Sequence, residues 1–233
     1  MLSAEALRHV FGEGGGQVVA LDGVSFDLTP GQTLAIFGPN GAGKTTLLKV
    51  LAGLIRPREG VVRVAGGRRA IGWIGHQSQL YEHLTVRENL DFWASLYGVP
   101  AARRGPRAAL VLERLGMADR ADQPVWSLSR GLAQRAAIAK ALIHDPSVLL
   151  LDEPFTGLDL AAAAELRVLL SELRGGDTGG RVVVLTTHNV DEGVELATDV
   201  AFQRRGRFVH FAPRGGRGPA EIAAAYRRAV TDG

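Results

Sequence analysis

Apolar residues along the chain fall into two patterns that predict a mixed α/β fold. Short, continuously apolar runs at 33–37, 148–151 and 182–185 are typical of strands buried on both faces of a parallel sheet. Apolar residues at helical spacing follow the first run and predict a helix that ends at Gly53. Strands that alternate with helices favour a parallel sheet covered by helices.

The segment between the first run and this helix has the spacing G-x-x-x-x-G-K-[ST] of a phosphate-binding loop. A strand before it and a helix after it are the context that such a loop requires. The predicted loop consists of Gly38, Pro39, Asn40, Gly41, Ala42, Gly43, Lys44, Thr45 and Thr46. The alternative is a glycine-rich turn with a stray lysine, but Lys44 is one of very few lysines in an arginine-rich chain.

Each part of this loop has a physical role in holding a nucleoside triphosphate. Gly41 and Gly43 let the backbone curl and direct N–H groups at phosphate oxygens, and the helix N-terminus adds partial positive charge. We expect Lys44 to reach the outer phosphates, Thr45 to place its hydroxyl on Mg²⁺, and Thr46 to donate to an inner phosphate. The loop therefore predicts a site for a nucleoside triphosphate with Mg²⁺.

The other two apolar runs end in candidate catalytic residues. Asp152 and Glu153 lie at the carboxyl end of a predicted strand, where open α/β sheets bind ligands. Asp152 is placed to hold Mg²⁺, and Glu153 to polarise or deprotonate the water that attacks the γ-phosphate. The third run leads to His188. The alternatives are a solvated turn or a helix cap for the carboxylates and a structural role for the histidine.

A predicted helix start at 128–135 supplies a second candidate anion site. Ser129 is a candidate N-cap, and Gly131 leaves the N–H groups of the first turn uncovered by a side chain. By itself, such a segment is usually only a capped helix start.

Composition narrows the class of protein. The 233 residues are 46% hydrophobic, and the formal net charge of +3 is no nucleic-acid signature. No apolar run approaches the roughly 18 residues that cross a bilayer, and the N-terminus has no signal-peptide pattern. The absence of cysteine excludes disulfides and fits a reducing compartment. We expect a protein that is soluble or peripheral to a membrane, without a nucleic-acid partner.

The order of these motifs resembles the ATP-binding subunit of ABC transporters over nearly the whole chain. The positions that match the family's motifs are the Walker A loop at 38–46, the glutamine loop at Gln77, the signature at 128–132, Walker B at 148–152, the catalytic glutamate at Glu153, the D-loop at 157–159 and the switch histidine at His188. The resemblance implies an ATPase that uses ATP and Mg²⁺ and drives transport through a separate membrane subunit.

The resemblance also implies individual roles. The implied catalytic residues are Glu153, His188 and Gln77. The implied Mg²⁺ ligands are Thr45, Gln77 and Asp152. Asp159 of the D-loop is implied to contact nucleotide, and Phe11 to stack on adenine. A lone Phe near a strand is more often part of a core, which is the alternative for Phe11.

A second ATP-binding subunit follows from the same resemblance. Two chains are expected to face head to tail, so that each ATP lies between Lys44 of one chain and Ser129 with Gly131 of the other. The usual signature Leu-Ser-Gly-Gly-Gln is altered, because Arg130 replaces the first glycine and Leu132 the glutamine. We expect the site to stay competent, with an effect of these replacements on hydrolysis rate or subunit coupling.

The implied fold is a P-loop NTPase forming a single domain, 1–233. A RecA-like core with a mainly parallel sheet and an N-terminal antiparallel β-subdomain would occupy 1–77 and 136–233, and an inserted α-helical subdomain 78–135. Within the insertion, Thr85 and Glu88 have capping-box spacing. A second helix is predicted over 108–115, before Gly116.

The membrane subunit is expected to contact the region near 77–97, where the family receives a short helix of its permease. The candidate contact residues are Leu80, Tyr81, Leu84, Phe92 and Trp93. Packing inside the subdomain is an equal alternative for Phe92 and Trp93.

The segments 73–77, 84–92 and 151–156 resemble the haem exporter ATPase of cytochrome c maturation. His76 is the most suggestive single residue, with neutral variation as the alternative. We therefore expect haem export from the cytoplasmic face of the membrane. The alternatives are the ATPase of another ABC exporter, for a drug, lipid or ion, and a non-transport ABC ATPase.

Other phosphate-loop classes fit less well. A DNA-repair or chromosome ATPase needs a long coiled-coil insertion, and no sustained heptad pattern is present. A translation-factor relative needs tandem nucleotide domains, and a small-molecule kinase lacks the signature segment and the strand-end His188. A non-catalytic nucleotide-binding module stays an alternative, although Glu153 and His188 are both present.

Overall fold

The computed structural model describes residues 1–12, 16–75, 77–175 and 180–231. Within these ranges the strands are β1 (Leu2–Phe11), β2 (Val18–Leu28), β3 (Thr33–Phe37), β4 (Glu59–Val64), β5 (Ile71–Ile74), β6 (Val148–Asp152), β7 (Val182–Thr187), β8 (Asp199–Arg204) and β9 (Arg207–Pro213). The helices are α1 (Lys44–Leu51), α2 (Val86–Leu96), α3 (Ala101–Arg114), α4 (Arg130–Leu142), α5 (Leu160–Gly175), α6 (Val190–Val194) and α7 (Pro219–Thr231).

A central six-stranded sheet carries the fold, in the order β5-β6-β7-β3-β8-β9. All its pairings are parallel except that of β8 with β9. Strand β6 contributes to both faces, because Leu149 and Leu151 pack into one buried cluster while Val148 and Leu150 pack into another. The continuously apolar runs in the sequence therefore mark strands covered on both faces, as predicted.

An antiparallel sheet in the order β2-β1-β4 lies at the N-terminal side of the fold. It shares a buried cluster with α1 and one face of the central sheet, through residues such as Leu21, Phe26, Leu47 and Ile36. The other face of the central sheet packs with residues of the helical part. This mixed α/β arrangement agrees with the predicted fold class.

The helices α2 and α3 lie between β5 and α4 in the chain and pack against each other. The predicted start of the second helix at 108 is wrong, because α3 already begins at Ala101. Gly105 and Pro106 both lie inside α3, although neither residue type favours a helix interior. The predicted subdomain boundary at 135/136 falls inside α4, and the two-part division stays a prediction.

A capping box starts α2, as the sequence predicts. Thr85 Oγ1 accepts from the Glu88 N–H at 3.1 Å, and a Glu88 carboxylate oxygen accepts from the Thr85 N–H at 2.8 Å. Asn89, fully buried behind it, accepts from the Tyr81 N–H and donates to the Tyr81 carbonyl. The start of α2 therefore also holds the segment around Tyr81.

Among the described helices, none combines the length and the apolar character that crossing a membrane requires.

The substitution Thr85→Ala should lower the free energy of unfolding by about 1 kcal/mol, because the first turn of α2 loses its side-chain acceptor. Urea unfolding at equilibrium measures the change. Ser95→Ala, at an exposed position of the same helix, is the control and should change stability by less than about 0.5 kcal/mol. Equal effects of the two substitutions would show that the capping box does not stabilise α2.

Candidate nucleotide-binding site

The carboxyl ends of three neighbouring strands, β6, β7 and β3, meet at one edge of the central sheet. Asp152 pairs with Thr186 and Phe37 with Thr187, so the segments that leave these strands start side by side. They open onto a cleft of about 520 Å³, a volume in the usual range of small-molecule sites. This strand-end cleft is lined by the loop at 39–46, by Glu153, Thr156 and His188, and by the apolar Phe11, Val18 and Val19.

The glycines of the loop allow a close approach of backbone to backbone. Gly43 has a φ of 101°, and a Cβ there would collide with the Ala20 carbonyl oxygen. A Cβ on Gly38 would collide with the Gln203 carbonyl oxygen. Gly43 also precedes α1 without a side-chain cap, so the first N–H groups of the helix face the loop uncovered. This geometry supplies backbone donors to an anion in the cleft.

The side chain of Lys44 is buried at the base of the loop, with 7% of its surface exposed. Its Nζ donates to the Gly38 carbonyl at 2.7 Å and to the Pro39 carbonyl at 3.3 Å, and it lies 3.5 Å from Glu153 Oε1. A phosphate entering the loop would exchange these contacts for its own oxygens. The Lys44 ammonium group is therefore held where anionic oxygens would converge.

Oxygen donors suited to Mg²⁺ lie beside the loop. Thr45 Oγ1 donates to Asp152 Oδ1 at 3.2 Å, and Thr186 Oγ1 donates to the same carboxylate oxygen at 2.7 Å. No group of three or more His, Asp or Glu side chains in the described ranges could hold a metal by itself. Since Mg²⁺ is usually bound by one or two carboxylates together with phosphate oxygens, this pair fits Mg²⁺ brought by a nucleotide.

Glu153 occupies a strained backbone conformation, with a φ of 51°. Its N–H donates to the Thr186 carbonyl and to Thr186 Oγ1, both at 3.1 Å. One carboxylate oxygen lies 2.8 Å from His188 Nδ1, and the other faces Lys44. The carboxylate is thus aimed into the cleft between a histidine and a lysine, with the strained turn anchored to β7.

Phe11 lines the same cleft. It is 44% exposed and packs edge to face on His9, with ring centroids 4.7 Å apart. Together with Val18 and Val19 it forms an exposed apolar wall beside the loop. The structure therefore brings Phe11 to the cleft rather than into the core.

The other predicted nucleotide contacts lie apart from the strand-end cleft. Ser129 caps α4 by accepting from the Leu132 N–H at 3.4 Å, as predicted, and Gly131 lies in the first turn. Both line a second cleft with Leu158 and residues of α5. Asp159 caps α5 by accepting from the Ala162 N–H at 2.8 Å. Within the described chain, no residue of the 38–46 loop lines this second cleft.

Gln77 is exposed and does not line the strand-end cleft. Gln77 follows β5 in the chain. Its near neighbours Gly75 and Ser78 line a small depression together with Asp152 and Glu153. His76, the residue behind the resemblance to haem exporters, lies outside the described residues.

The sequence did not single out Lys140, which holds the segment after Gln77. Lys140 is 1% exposed, and burial lowers its pKa to about 8. Its Nζ donates to the Ser78 carbonyl at 2.8 Å and to Gln79 Oε1 at 3.3 Å, over the ring of Trp93. The signal in the sequence that could have identified Lys140 is the presence of a rare lysine within an apolar helix.

The loop between β3 and α1, with carboxylates at the end of β6, defines a phosphate-loop nucleotide-binding protein. Residues 21–156, more than half of the chain, match the model of the ABC transporter family. The chain therefore belongs to the ABC transporter family, as one of its ATP-binding subunits, and is an ATPase.

Two curated relatives and one solved structure describe the similarity. Nod factor export ATP-binding protein I of Ralstonia nicotianae is 37% identical over 89% of this chain and 65% of its own length. Taurine import ATP-binding protein TauB of Roseobacter denitrificans is 35% identical over 87% of this chain and 74% of its own length. The chain thus spans less than two thirds of the first relative and about three quarters of the second.

The solved structure is a dimer of the ATP-binding cassette MJ0796 in a post-hydrolysis state, bound to ADP and Pi. It matches with a TM-score of 0.82 and 26% identity, over 93% of this chain and 100% of that chain. This match confirms the predicted fold class.

The substitution Gly43→Ala should destabilise the protein by about 2 to 4 kcal/mol, because strain at positive φ adds to a collision with the Ala20 carbonyl. Gly98→Ala is the matched control, because its φ is 77° and its Cβ would enter open space. That substitution should cost about 1 kcal/mol from strain alone. Urea unfolding compares them, and an equal loss in both would contradict the close packing of the loop on β2.

Proposed function

We propose that the chain is the ATP-hydrolysing motor subunit of an ABC transporter and works as a head-to-tail pair with a second ATP-binding subunit. One observation carries the proposal. The phosphate loop, Glu153 and His188 share one cleft, while Ser129 and Gly131 line a different cleft of the same chain. Each chain therefore offers two incomplete halves of a nucleotide site on separate surfaces, and a second copy or a similar subunit completes both.

In the first half-site, the loop from Gly38 to Thr46 holds the phosphates of ATP. Backbone N–H groups of 41–46 donate to phosphate oxygens, and Lys44 moves its contacts from the loop carbonyls to the outer phosphates. Pro39, Asn40 and Ala42 shape the loop around them. Phe11 stacks on the adenine ring at the apolar wall of the cleft.

Thr45 and Asp152 hold the Mg²⁺ that accompanies ATP, with Gln77 as a further ligand. When bound, Mg²⁺ neutralises charge on the phosphate oxygens during transfer. Thr186 positions the Asp152 carboxylate by donating to it from β7. The exposed side chain of Gln77 does not line the cleft, so it would have to move to act as a ligand.

Hydrolysis needs a base that faces the γ-phosphate. Glu153 polarises the attacking water, since its carboxylate points into the cleft and its backbone is fixed to β7. His188, 2.8 Å from that carboxylate, holds the water and the γ-phosphate in register. Loss of the γ-phosphate removes an anion that both subunits contact, so that hydrolysis favours opening of the pair.

The second half-site is the capped start of α4. Ser129 and the bare backbone at Gly131 donate to the γ-phosphate held by the other subunit, and Asp159 lies at the same surface. Leu160, 92% exposed next to Asp159, is an apolar side chain that a partner surface would cover. The dimeric form of the similar cassette MJ0796 supports this arrangement.

A separate membrane subunit contacts the region near 77–97. Tyr81 is 50% exposed and packs edge to face on the partly exposed Phe92, and Leu96 is 63% exposed on the same helix. Trp93 instead packs with buried residues and lies over Lys140. An exposed aromatic pair beside the segment after Gln77 links the nucleotide site to the membrane partner. In this proposal the chain acts at the cytoplasmic face of the membrane.

The proposed cargo is haem, exported across the membrane. This part of the proposal rests only on the resemblance of the segments 73–77, 84–92 and 151–156 to the haem exporter ATPase. The two relatives described above carry names for an export and an import process with other substrates. The membrane subunit that co-purifies with this chain tests the cargo. Partners from another exporter, or none, would reject haem export without affecting the proposal of a paired motor subunit.

Glu153→Gln should leave ATP binding intact but lower kcat by at least about 100-fold, because the amide cannot accept the proton of the attacking water. The variant should accumulate as an ATP-bound dimer. Phosphate release and calorimetric ATP titration measure the two quantities. Turnover at the parent rate would remove Glu153 from its proposed role.

Ser129→Arg should abolish ATP-driven dimerisation, since bulk and a side-chain cation would enter the proposed γ-phosphate contact. Analytical ultracentrifugation of Glu153→Gln with and without this second change measures the dimer. Ser171→Arg, at an exposed position of α5, is the control and should dimerise normally. ATP-dependent dimers of unchanged affinity in the Ser129→Arg chain would contradict the paired half-sites.

A further inference from the structure

Two side chains of the α4 start bind the loop that follows Glu153. Arg130, the residue that replaces a glycine of the usual signature, donates from Nη1 to the Gly157 carbonyl at 3.1 Å. Gln134, one helical turn further, donates from Nε2 to the Pro154 carbonyl at 2.9 Å. The first two turns of α4 are thus attached in the same chain to both ends of the segment 154–157.

The contact at Gly157 is close as well as polar. Gly157 has a φ of 78°, and a Cβ there would meet the guanidinium of Arg130. The guanidinium therefore packs directly on a backbone that only glycine adopts without strain. Arg130 has no carboxylate partner within the described ranges, so the Gly157 carbonyl is the contact that positions its side chain.

The same segment is fixed on its other side by β7. The Glu153 N–H donates to Thr186, and the turn closes through the Thr156 N–H, which donates to the Glu153 carbonyl at 3.1 Å. Glu153 is strained, with a φ of 51°. The direction of its carboxylate therefore depends on the bonds to β7 on one side and to the start of α4 on the other. A displacement of the α4 start would reach this carboxylate through the two side-chain bonds.

We propose that Arg130 is a positioning residue that couples the two nucleotide sites of the pair. This inference rests on the proposed function, in which the α4 start contacts ATP held by the partner while Glu153 acts on ATP held by its own chain. Binding of the partner's γ-phosphate at Ser129 fixes the α4 start. Arg130 and Gln134 then hold 154–157, and with it Glu153, in the orientation that hydrolysis requires.

A direct contact of Arg130 with the partner's phosphate is the competing role. The two roles differ in the quantity that changes. A positioning residue affects kcat, because it orients a catalytic group, whereas a nucleotide contact affects KM and ATP-driven dimerisation.

The test substitutes Arg130→Met, which keeps an unbranched aliphatic stem and removes the guanidinium with its donors. We expect kcat to fall by about 5- to 20-fold, the effect of losing one hydrogen bond at an exposed position. KM should stay within about twofold, and the Glu153→Gln background should still dimerise with ATP. Arg130→Lys keeps the charge on a shorter, non-planar group and should recover part of kcat.

Gln134→Leu is the second variant, and it should also lower kcat without raising KM, because it releases the other end of the segment. Arg69→Met, at an exposed position remote from both clefts, is the matched control and should behave as the parent. Thermal unfolding of each variant shows that the fold is retained.

Parent-like kcat in both Arg130→Met and Gln134→Leu would overturn the inference while leaving the proposed function intact. A raised KM with loss of ATP-driven dimers in Arg130→Met would also overturn it, in favour of direct phosphate contact. If the unaltered chain neither binds nor hydrolyses ATP, the proposed function fails, and the coupling fails with it.

Discussion

The adjacency of β6, β7 and β3 in the central sheet determines what this protein can do. Each strand is buried on both faces, so hydrophobic packing fixes the order and register of all three. Their carboxyl ends then deliver a phosphate loop, a carboxylate pair and a histidine to one edge. None of these segments could form the cleft alone, because each supplies a different chemical group from a distant part of the chain.

Several groups at this edge cost free energy of folding. Glu153 is strained at a positive φ, and Asp152 and Lys44 are buried charged side chains. Buried Lys140 in α4, whose pKa is lowered to about 8, adds a further cost. Such features persist only where the surrounding structure determines them, and they are typical of functional sites. The rest of the sheet, packed with Leu, Val and Ile, offsets their cost.

Local rules were sufficient to predict the parts of the site that depend on neighbouring residues. The strand, loop and helix around Lys44 and the caps at Thr85 and Ser129 follow from spacing and hydrogen-bonding chemistry within a few residues. The family resemblance added the dimer and the membrane partner. Arg130 was noticed as a departure from the signature, but its bond to Gly157 depends on how α4 lies against a loop 27 residues away.

Contacts between distant segments were not predictable in the same way. The close approach of Gly43 to Ala20 depends on the position of the N-terminal sheet, and the role of Lys140 depends on how α4 crosses the segment at 78–79. The early start of α3 was not predicted, because Gly105 and Pro106 disfavour a helix locally and yet both lie inside α3. In each case tertiary packing decided the outcome.

The structure of the Glu153→Gln chain bound to ATP and Mg²⁺ is the most direct test of the account. It should contain two chains, with each γ-phosphate between Lys44 of one subunit and Ser129 with Gly131 of the other. A nucleotide bound away from the 38–46 loop, or held there without any contact from a second chain, would contradict the account.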